Sequence, residues 1–315
     1  MNFLNLYYFA VVAEELNITK AAERLFISQQ ALSNHMLKLE KSLEVKLFNR
    51  TPGFSLTYAG TRLLYWANQI LNIKRQIINE MDDINNHMRG ELRIGISHTR
   101  GRVFLPKILP DFCKKHPLIN VSIIEGNSQQ LEEWLLHGRI DLLTGFAPIM
   151  LSEVETVHIT YERLMLVVPK KFMLSLFPDN HEKMVEKYYQ GVDVSAFKEC
   201  PFLMISTGNR TRTIFDHYMK HLGIQTNIIM EMESSETILS LAYQGMGITV
   251  YPEMFVKDLS PFIHKADGST VYYFPLNDPS TIGELVIGYH RERYLTNYAK
   301  DFIEASAITF RDCSL

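Results

Sequence analysis

The sequence predicts a mixed α/β protein, in which an N-terminal winged helix-turn-helix and a long linker helix precede two α/β, Rossmann-like subdomains. Three observations predict this fold class. Apolar residues follow helical spacing through the first part of the chain, where turn signals interrupt them. A long row of residues, nearly all apolar, then recurs at intervals of four and three. After Gly90, short apolar runs alternate with amphipathic helical stretches.

The length and composition indicate a globular protein with more than one folded unit. Domains commonly hold about 100–200 residues, so 315 residues predict two or three units. Apolar residues make up 46% of the chain and charged residues 21%, which argues against disorder. The net charge is −3, yet the segment from Ser28 to Arg62 holds five Lys or Arg and two Glu. This basic segment is compatible with local binding to a polyanion.

The cysteines and histidines give no sign of a metal or redox site. Cys113, Cys200 and Cys313 lie far apart without a Cys-x-x-Cys pair, which suits a reducing compartment. His217 and His221 have the helical spacing of metal ligands but lack a third ligand, and Cys200 lacks a resolving cysteine. We therefore expect no metal and no cofactor. Neither a signal peptide nor an apolar run of 18 residues is apparent, so we expect a cytoplasmic protein with no membrane partner.

The first 60 residues are predicted to form three helices and a short hairpin. Thr19 and Ser28 are good N-capping residues for the second and third helices, and Thr57 is one for a fourth. Pro52-Gly53 is a turn signal between two extended segments. The predicted elements are Phe3–Glu15, Lys20–Phe26, Gln29 to about Ser42, and extended segments within Phe48–Leu56.

The fourth helix is predicted to run from Tyr58 to about Met88, and its strict 4-3 repeat over more than three heptads predicts a coiled-coil dimer. Lys74 is the one polar member of this row, and a lone lysine can fix the register of a coiled coil. The alternative is a helix packed on a globular core, whose apolar stripe is wider; Leu64, Leu71 and Ile78 do widen it. The row consists of Leu63, Ala67, Ile70, Lys74, Ile77, Met81, Ile84 and Met88.

The remainder of the chain is predicted to consist of alternating strands and helices. This order predicts right-handed βαβ units, largely parallel sheets, and two subdomains with a cleft between them. The predicted strands are Leu92–Ile96, Val121–Ile124, Asp141–Phe146, Leu164–Val168, Phe202–Ile205, Ile228–Met232, Val271–Phe274 and Leu285–Tyr289. The predicted helices include Val103–Lys115, Gln129–His137, Thr211–Leu222 and Glu236–Gln244.

The third helix has a polar face suited to a DNA major groove. Its apolar face holds Leu32, Met36, Leu39 and Leu43, and the opposite face holds Gln29, Gln30, Ser33, Asn34 and Lys38. Gln and Asn amides match the edge of adenine, and the major groove accommodates a helix. Leu37 interrupts the polar face, where contact with a thymine methyl group would suit it. A solvated amphipathic helix is the alternative.

Ordered motifs resemble the LysR-type transcriptional regulators over nearly the whole chain. The N-terminal motifs are Ala21-Ala22-Glu23-Arg24-Leu25, Ser28-Gln29-Gln30-Ala31-Leu32-Ser33, Leu39-Glu40, Leu47-Phe48-Asn49-Arg50-Thr51 and Leu56-Thr57-Tyr58-Ala59-Gly60. Further along the chain they are Gly90-Glu91-Leu92-Arg93-Ile94-Gly95, Glu236-Thr237-Ile238-Leu239, Gly245-Met246-Gly247-Ile248 and Tyr251-Pro252-Glu253.

The resemblance implies a winged helix-turn-helix over residues 1–62, a dimerising linker helix over 58–89 and an effector-binding domain over 90–315. That domain is expected to resemble periplasmic solute-binding proteins, with lobes of about 90–160 with 270–315, and 161–269. A small co-inducer would bind between them. The resemblance also implies a homodimer or homotetramer on an interrupted palindrome of double-stranded DNA, working with RNA polymerase, and not an enzyme.

The resemblance also carries over to individual DNA-contacting positions. Arg50 is expected to contact the DNA backbone, with an ion pair to Glu40 or Glu44 as the alternative. Relatives often have Pro, Arg and a basic residue where this chain has Gln30, Asn34 and Leu37, so fewer phosphate contacts are expected. The expected contacts are Ser28, Gln29, Gln30, Ser33, Asn34, Leu37, Lys38, Arg50 and Thr51.

Two predicted strand-to-helix junctions carry hydroxyl groups beside an arginine. Ser97-His98-Thr99-Arg100 follows the first strand after Gly90, and Ser206-Thr207-Gly208-Asn209-Arg210 follows Phe202–Ile205. Helix N-termini favour anions and arginine favours carboxylates, so we expect a small carboxylate effector. The alternatives are hydroxyl groups that only cap helices, and solvent-facing arginines beside a pocket for a neutral molecule. The expected effector residues are Ser97, Thr99, Arg100, Ser206 and Thr207, joined through the resemblance by Thr144, Phe146 and Thr249.

The runner-up hypothesis is a solute-binding or metabolic α/β protein whose N-terminal helices serve only assembly. That class predicts a secretion signal or a catalytic motif. The sequence shows no Gly-x-Ser-x-Gly, no phosphate-binding glycine loop and no His-Glu-x-x-His. A ligand-responsive transcription factor is therefore favoured.

Overall fold

The protein is described by a computed structural model that covers residues 2–51, 53–85, 89–259 and 271–311. The chain divides into two compact units, Met1–Met88 with Leu136–Arg139, and Arg89–Leu135 with Ile140–Leu315. Each unit has its own buried core. In the described ranges, no helix is long and apolar enough to cross a membrane.

The first unit is a winged helix-turn-helix that continues into a long helix. Ser28 caps α3 by accepting a hydrogen bond from the Ala31 amide at 3.2 Å, and Thr57 caps α4 by accepting from the Gly60 amide at 3.0 Å. The elements are α1 (Phe3–Glu15), α2 (Ile18–Arg24), α3 (Gln29–Leu43), β1 (Phe48–Asn49), β2 (Ser55–Leu56) and α4 (Tyr58–Ile84).

The prediction that Thr19 caps α2 is wrong, because Asn17 takes that role. The Asn17 side-chain oxygen accepts from the backbone N–H groups of Thr19 at 2.9 Å and Lys20 at 3.1 Å. Its backbone is extended, as an N-cap requires, so the helix begins at Ile18. Both residue types are good caps, and the amide oxygen of Asn17 reaches two otherwise unpaired donors.

The residues of the 4-3 repeat are buried or half-buried in the first half of α4 and exposed in the second half. Ala67 is fully buried in the core of the first unit, with Leu63 and Ile70 packed beside it. The first half of the row is therefore covered within the chain, as the globular alternative requires. Further along, Ile77, Met81 and Ile84 are 56%, 47% and 64% exposed, so a coiled coil remains open only for this half. Met88 lies outside the described residues.

The second unit contains nine strands and eight helices among its described residues. The strands are β3 (Gly90–Ile96), β4 (Ile119–Glu125), β5 (Leu142–Phe146), β6 (Val154–Pro169), β7 (Phe202–Ile205), β8 (Ile228–Met232), β9 (Thr249–Pro252), β10 (Val271–Pro275) and β11 (Ile282–His290). The helices are α5 (His98–Lys115), α6 (Ser128–Leu136), α7 (Lys170–Leu176), α8 (His181–Tyr188), α9 (Arg210–His221), α10 (Ser235–Tyr243), α11 (Glu253–Leu259) and α12 (Asn297–Phe310).

The expectation of largely parallel sheets is wrong. The seven-stranded sheet has the order β10-β6-β11-β5-β3-β4, with β9 also paired to β6. Among the described strands of this sheet, β4 and β5 pair in parallel with β3, whereas β6 and β11 run antiparallel to their neighbours. The separate β7–β8 pair is parallel. Alternation of strands and helices along the sequence does not show that β6 and β11 run back through the sheet.

The 16-residue strand β6 belongs to both lobes of the second unit. Its first part pairs with β11, and its last residues pair with β9 and β10. One lobe core contains Ile94, Phe104 and Phe302, and the other contains Phe202 and Phe274. We call these lobe I and lobe II. Because Phe274 of β10 packs in lobe II, the chain returns to lobe I after residue 276 rather than near 270.

Candidate nucleic-acid interface and ligand cavity

The exposed face of α3 carries the polar residues that the sequence predicts for DNA contact. Leu32, Met36 and Leu39 are buried at 0–1% exposure, which fixes the orientation of the helix. Leu43, expected on that face, is 36% exposed at the helix end. The Ser33 side chain is half-buried. The expected contacts that are exposed on or beside the helix are Ser28, Gln29, Gln30, Asn34, Leu37 and Lys38.

Two exposed apolar side chains accompany this polar face. Leu37 is 42% exposed, as expected for a residue free to contact a base. Phe26, in the turn before α3, is 95% exposed and has a φ of +54°. The left-handed region is unfavourable for a bulky residue, so the tight turn between α2 and α3 imposes this backbone conformation on Phe26. The sequence alone suggests no role for Phe26, because its apolar character favours a core position.

Glu40 joins α3 to the start of the wing, the hairpin of β1 and β2. This carboxylate is 4% exposed and accepts from the backbone N–H groups of Leu47 at 2.9 Å and Phe48 at 3.4 Å. Its second oxygen lies 3.5 Å from the Lys46 ammonium and 3.7 Å from the Arg50 guanidinium. The ion-pair alternative for Arg50 is thus present in the structure. Arg50 is still about half exposed, so this long contact leaves it able to reach a phosphate.

The wing is short and lies close to α4. Asn49 donates its side-chain amide to the Leu56 carbonyl at 3.3 Å and so closes the hairpin beside Thr51, which is exposed. A Cβ at Gly60 would lie 2.1 Å from the Leu47 carbonyl oxygen, so only glycine fits at this crossing. Pro52 of the expected turn lies outside the described residues.

A small cavity lies between the two lobes of the second unit. It has about 50 Å³ of free volume and is bounded by the ends of β5, β7 and β9 and the starts of α5, α9 and α10. We call it the inner cavity. Its lining includes the expected effector residues Ser97, Thr99, Arg100, Thr144, Phe146 and Thr249, together with Arg210, Ser235, Tyr251 and Phe255.

Three buried polar atoms that line the inner cavity have no hydrogen-bond partner among the described residues. They are Thr144 Oγ1, Tyr251 Oη and Arg210 Nε. Thr144 is 1% exposed and Tyr251 is 2% exposed. Burial raises the pKa of the Tyr251 phenol, so it stays protonated and can donate; the nearby Ser235 hydroxyl opposes this shift. Buried polar groups are nearly always satisfied, so these atoms indicate a place for a polar ligand or water.

Arg210 lines the inner cavity and has a guanidinium N–H group that is free to bind a ligand. It begins α9, and its Nη2 donates to the Pro148 carbonyl at 3.0 Å while Nε stays unpartnered. Burial raises the pKa of the Glu132 carboxyl group, and the positive charge of Arg210 opposes that shift. Asn209, and neither Ser206 nor Thr207, caps α9.

The expectation that Arg100 offers its charge to a ligand needs correction. Its guanidinium is buried and donates to Glu162 at 3.1 Å, between the rings of Phe146 and Phe255. Glu162 also accepts from the Met254 amide at 3.2 Å. Burial raises the pKa of Glu162, and Arg100 opposes that shift. Arg100 is neither solvent-facing nor an uncompensated cation, because Glu162 balances its charge.

A larger cavity of about 560 Å³ adjoins the inner one, and we call it the outer cavity. Ser97, Thr99, Ile205 and Asn209 line both. Ser206 and Thr207 line only the outer cavity, so the expected effector residues divide between the two. Gly208, with a φ of +86°, makes the turn between Thr207 and Asn209.

Hydroxyl groups of the two lobes meet directly beside these cavities. Thr99 of α5 is hydrogen-bonded to Ser235 of α10. Ser97 precedes α5 as its N-cap but makes no side-chain capping bond, so the capping alternative does not account for its hydroxyl. Ser235 is missing from the sequence predictions, although it directly precedes the Glu236-Thr237-Ile238-Leu239 motif.

Within the described ranges, the cysteines and histidines form neither a metal-ligand cluster nor a reactive thiol pair. Cys200 is buried, which raises the pKa of its thiol and disfavours the reactive thiolate. Cys113 is exposed, and Cys313 lies outside the described residues. Among residues 2–51, 53–85, 89–259 and 271–311, no three His, Cys, Asp or Glu side chains cluster as metal ligands.

Comparison with protein families matches both units. A model of the lysR family of bacterial regulatory helix-turn-helix proteins matches residues 3–61, and a model of the LysR substrate binding domain matches residues 85–310. Over 308 residues the chain is 28% identical to YcgK of Bacillus subtilis (strain 168), an uncharacterized HTH-type transcriptional regulator, covering 95% of this chain and 92% of that protein. The regulator CzcR of the same strain is 27% identical, with 96% of each chain covered.

Solved structures share the fold over nearly the whole chain. CbnR in complex with its target DNA has a TM-score of 0.67 and 23% identity, covering 98% of this chain and 100% of that chain. A full-length OxyR variant from Pseudomonas aeruginosa has a TM-score of 0.70 and 22% identity, covering 99% of this chain and 95% of that chain.

Proposed function

The chain belongs to the LysR family of transcriptional regulators. We propose that it binds, as an oligomer, the DNA upstream of its own gene. We also propose that it changes transcription when a small carboxylate occupies the inner cavity. The observation that carries the DNA part is the exposed row of Gln29, Gln30 and Asn34 on α3. The neighbour CbnR was crystallised with its target DNA, which supports the same use of this domain.

The DNA-reading face is tested by removing its side chains one at a time. Gln29→Ala should lose a base contact worth about 1–3 kcal/mol, and Ser33→Ala should also weaken operator binding. Gln190→Ala is a matched control, because Gln190 is an exposed glutamine in the other unit. Fluorescence anisotropy on upstream DNA should show weaker binding for the first two variants and no change for the control. Unchanged affinity in both α3 variants would refute this face.

The oligomer is proposed to form through the outer surface of α1 and the second half of α4. Phe3, Leu4 and Tyr7 of α1 are about half exposed, and five apolar side chains of α4 are 47–64% exposed. Exposed apolar rows of this kind mark association surfaces. Lys74 lies 5.3 Å over the Phe3 ring, so its ammonium has a partner within the chain. Paired subunits would read the halves of an interrupted palindrome, as a dimer or tetramer that contacts RNA polymerase. The α4 residues are Ile73, Ile77, Ile78, Met81 and Ile84.

The effector proposal rests on the unpartnered atoms of the inner cavity. A carboxylate there could accept from Thr144, Tyr251 and Arg210, which are all donors. The N-termini of α5 and α9 add partial positive charge on the same side. Ligand contacts in both lobes would favour one lobe arrangement, and a ligand shifts that equilibrium only through its different affinity for the two states.

Thermal-shift assays with carboxylates test the inner cavity. A carboxylate should stabilise the wild type, and Thr144→Val should weaken its binding about 10- to 100-fold, because a hydrogen bond to a charged group contributes about 1.5–3 kcal/mol. Thr309→Val, at an exposed position on α12, should not change the affinity. Stabilisation by neutral or apolar compounds alone would contradict the carboxylate proposal.

A further inference from the structure

The volumes of the two cavities limit which part of a ligand each one can hold. A water-sized group needs roughly 10–15 Å³ on this measure, so 50 Å³ holds about three to five non-hydrogen atoms. That is room for a carboxylate and one or two carbons. The rest of any larger effector must therefore lie in the outer cavity, whose free volume is about 560 Å³.

The outer cavity is acidic. Glu125, Glu233 and Glu236 line it, and among its described lining residues His98 is the one basic side chain. His98 lies 3.0 Å from Glu125, whose hydrogen bond raises the pKa of the imidazole. Arg102 approaches Glu236 at 3.9 Å from outside the lining. Glu233 is exposed. His98 lies beside Glu125 and Arg102 lies beside Glu236, so Glu233 is the lining carboxylate that no described cation approaches, and it leaves negative charge in excess there.

The inner cavity has the opposite character. Arg210 is the cation whose charge is available there, since Arg100 is paired with Glu162. The unpartnered hydroxyl of Thr144, which is 1% exposed, is an independent sign that a ligand group belongs in this cavity. A ligand that spans both cavities thus meets donors and a cation at one end and carboxylates at the other.

We propose that the effector is a zwitterion, with a carboxylate in the inner cavity and a cationic amine in the outer cavity. This inference rests on the proposed carboxylate function and adds the second recognition group. A dicarboxylate would place its second negative charge near Glu233, which has no cation beside it among the described residues, and this repulsion weakens binding. A monocarboxylate of the same length has an uncharged end, which would form no ion pair with the glutamates of the outer cavity.

Matched ligands of one chain length test the inference on the full-length protein. Isothermal titration at pH 7.5 would compare 5-aminopentanoate, pentanoate, pentanedioate and pentylamine. Shorter and longer members, from 3-aminopropanoate to 6-aminohexanoate with their matched acids, cover other spacings. The expected order at the best length is aminocarboxylate, monocarboxylate, dicarboxylate, with about a tenfold step for one added charge contact, as for hydrogen bonds to charged groups.

Charge removal in the outer cavity gives a second readout. Glu233→Gln and Glu236→Gln should reduce the preference for 5-aminopentanoate over pentanoate and leave pentanoate binding unchanged. Glu304→Gln, at an exposed position on α12, should retain the full preference.

The outcomes separate this inference from the carboxylate proposal. Equal binding of all carboxylates, or tightest binding of dicarboxylates, would overturn the zwitterion and leave the carboxylate site in place. Binding of pentylamine alone, or no binding by the whole series, would overturn both.

Discussion

Glu40 offers the sharpest test of how the reading helix and the wing are held together. Its carboxylate accepts from the buried backbone of Leu47 and Phe48 and is approached by Lys46 and Arg50. Hydrogen bonds to a charged group contribute about 1.5–3 kcal/mol and neutral ones about 0.5–1.5. Glu40→Gln keeps an acceptor but loses the charge, so the wing should be destabilised by about 1–2 kcal/mol.

Glu40→Ala should have a larger effect, because it leaves two buried N–H groups without an acceptor. Each unsatisfied donor costs about 1–3 kcal/mol, which gives roughly 2–6 kcal/mol in total. Since 1.4 kcal/mol corresponds to about a tenfold change in an equilibrium, amide exchange of the wing should accelerate about tenfold in the glutamine variant. In the alanine variant the acceleration should be about 30-fold or more.

Hydrogen–deuterium exchange of residues 44–56 measures this local opening in the intact protein. Glu44→Gln is the control, since Glu44 lies at the end of the same helix but is exposed. Protection in the Glu40 variants equal to that of the wild type would refute the role given to this carboxylate.

Two further predictions concern DNA and assembly. Arg50→Ala should weaken binding to all DNA sequences alike and lower the salt slope by about one unit, measured by anisotropy at several salt concentrations; lost thermal stability with an unchanged slope would assign Arg50 to the Glu40 ion pair alone. Ile77→Asp should dissociate the oligomer in sedimentation analysis and sharply reduce operator affinity, because half-sites would no longer be bound together; an unchanged sedimentation coefficient would refute the proposed α4 surface.

The local features of the fold could be predicted because their causes lie within a few residues. Ser28 and Thr57 cap the helices that follow them, and burial of Leu32, Met36 and Leu39 follows directly from helical spacing. The predicted strands Phe202–Ile205 and Ile228–Met232 match the structure. In each case hydrophobic period and capping chemistry act on the same segment.

The long-range features could not be predicted because their partners are distant in sequence. Arg100 meets Glu162, and Thr99 meets Ser235, across 62 and 136 positions. The sequence does show the apolar stretch Leu164–Val168 but not that β6 starts at Val154 and joins two lobes, because its first half is only partly buried. The strand β9 is absent from the sequence predictions because pairing with the distant β6 defines it; α12 is absent too, although its cap Thr296 is a local signal.

The most direct test of the central claim is the specificity of DNA binding. Anisotropy at about 0.15 M salt would compare the gene's own upstream DNA with a scrambled duplex of equal length and composition. Specific binding is typically about 10³–10⁷ times tighter than non-specific binding, so a ratio of at least about 10³ is predicted. Equal affinity for the two duplexes would contradict the account, because the polar face of α3 would then read no sequence.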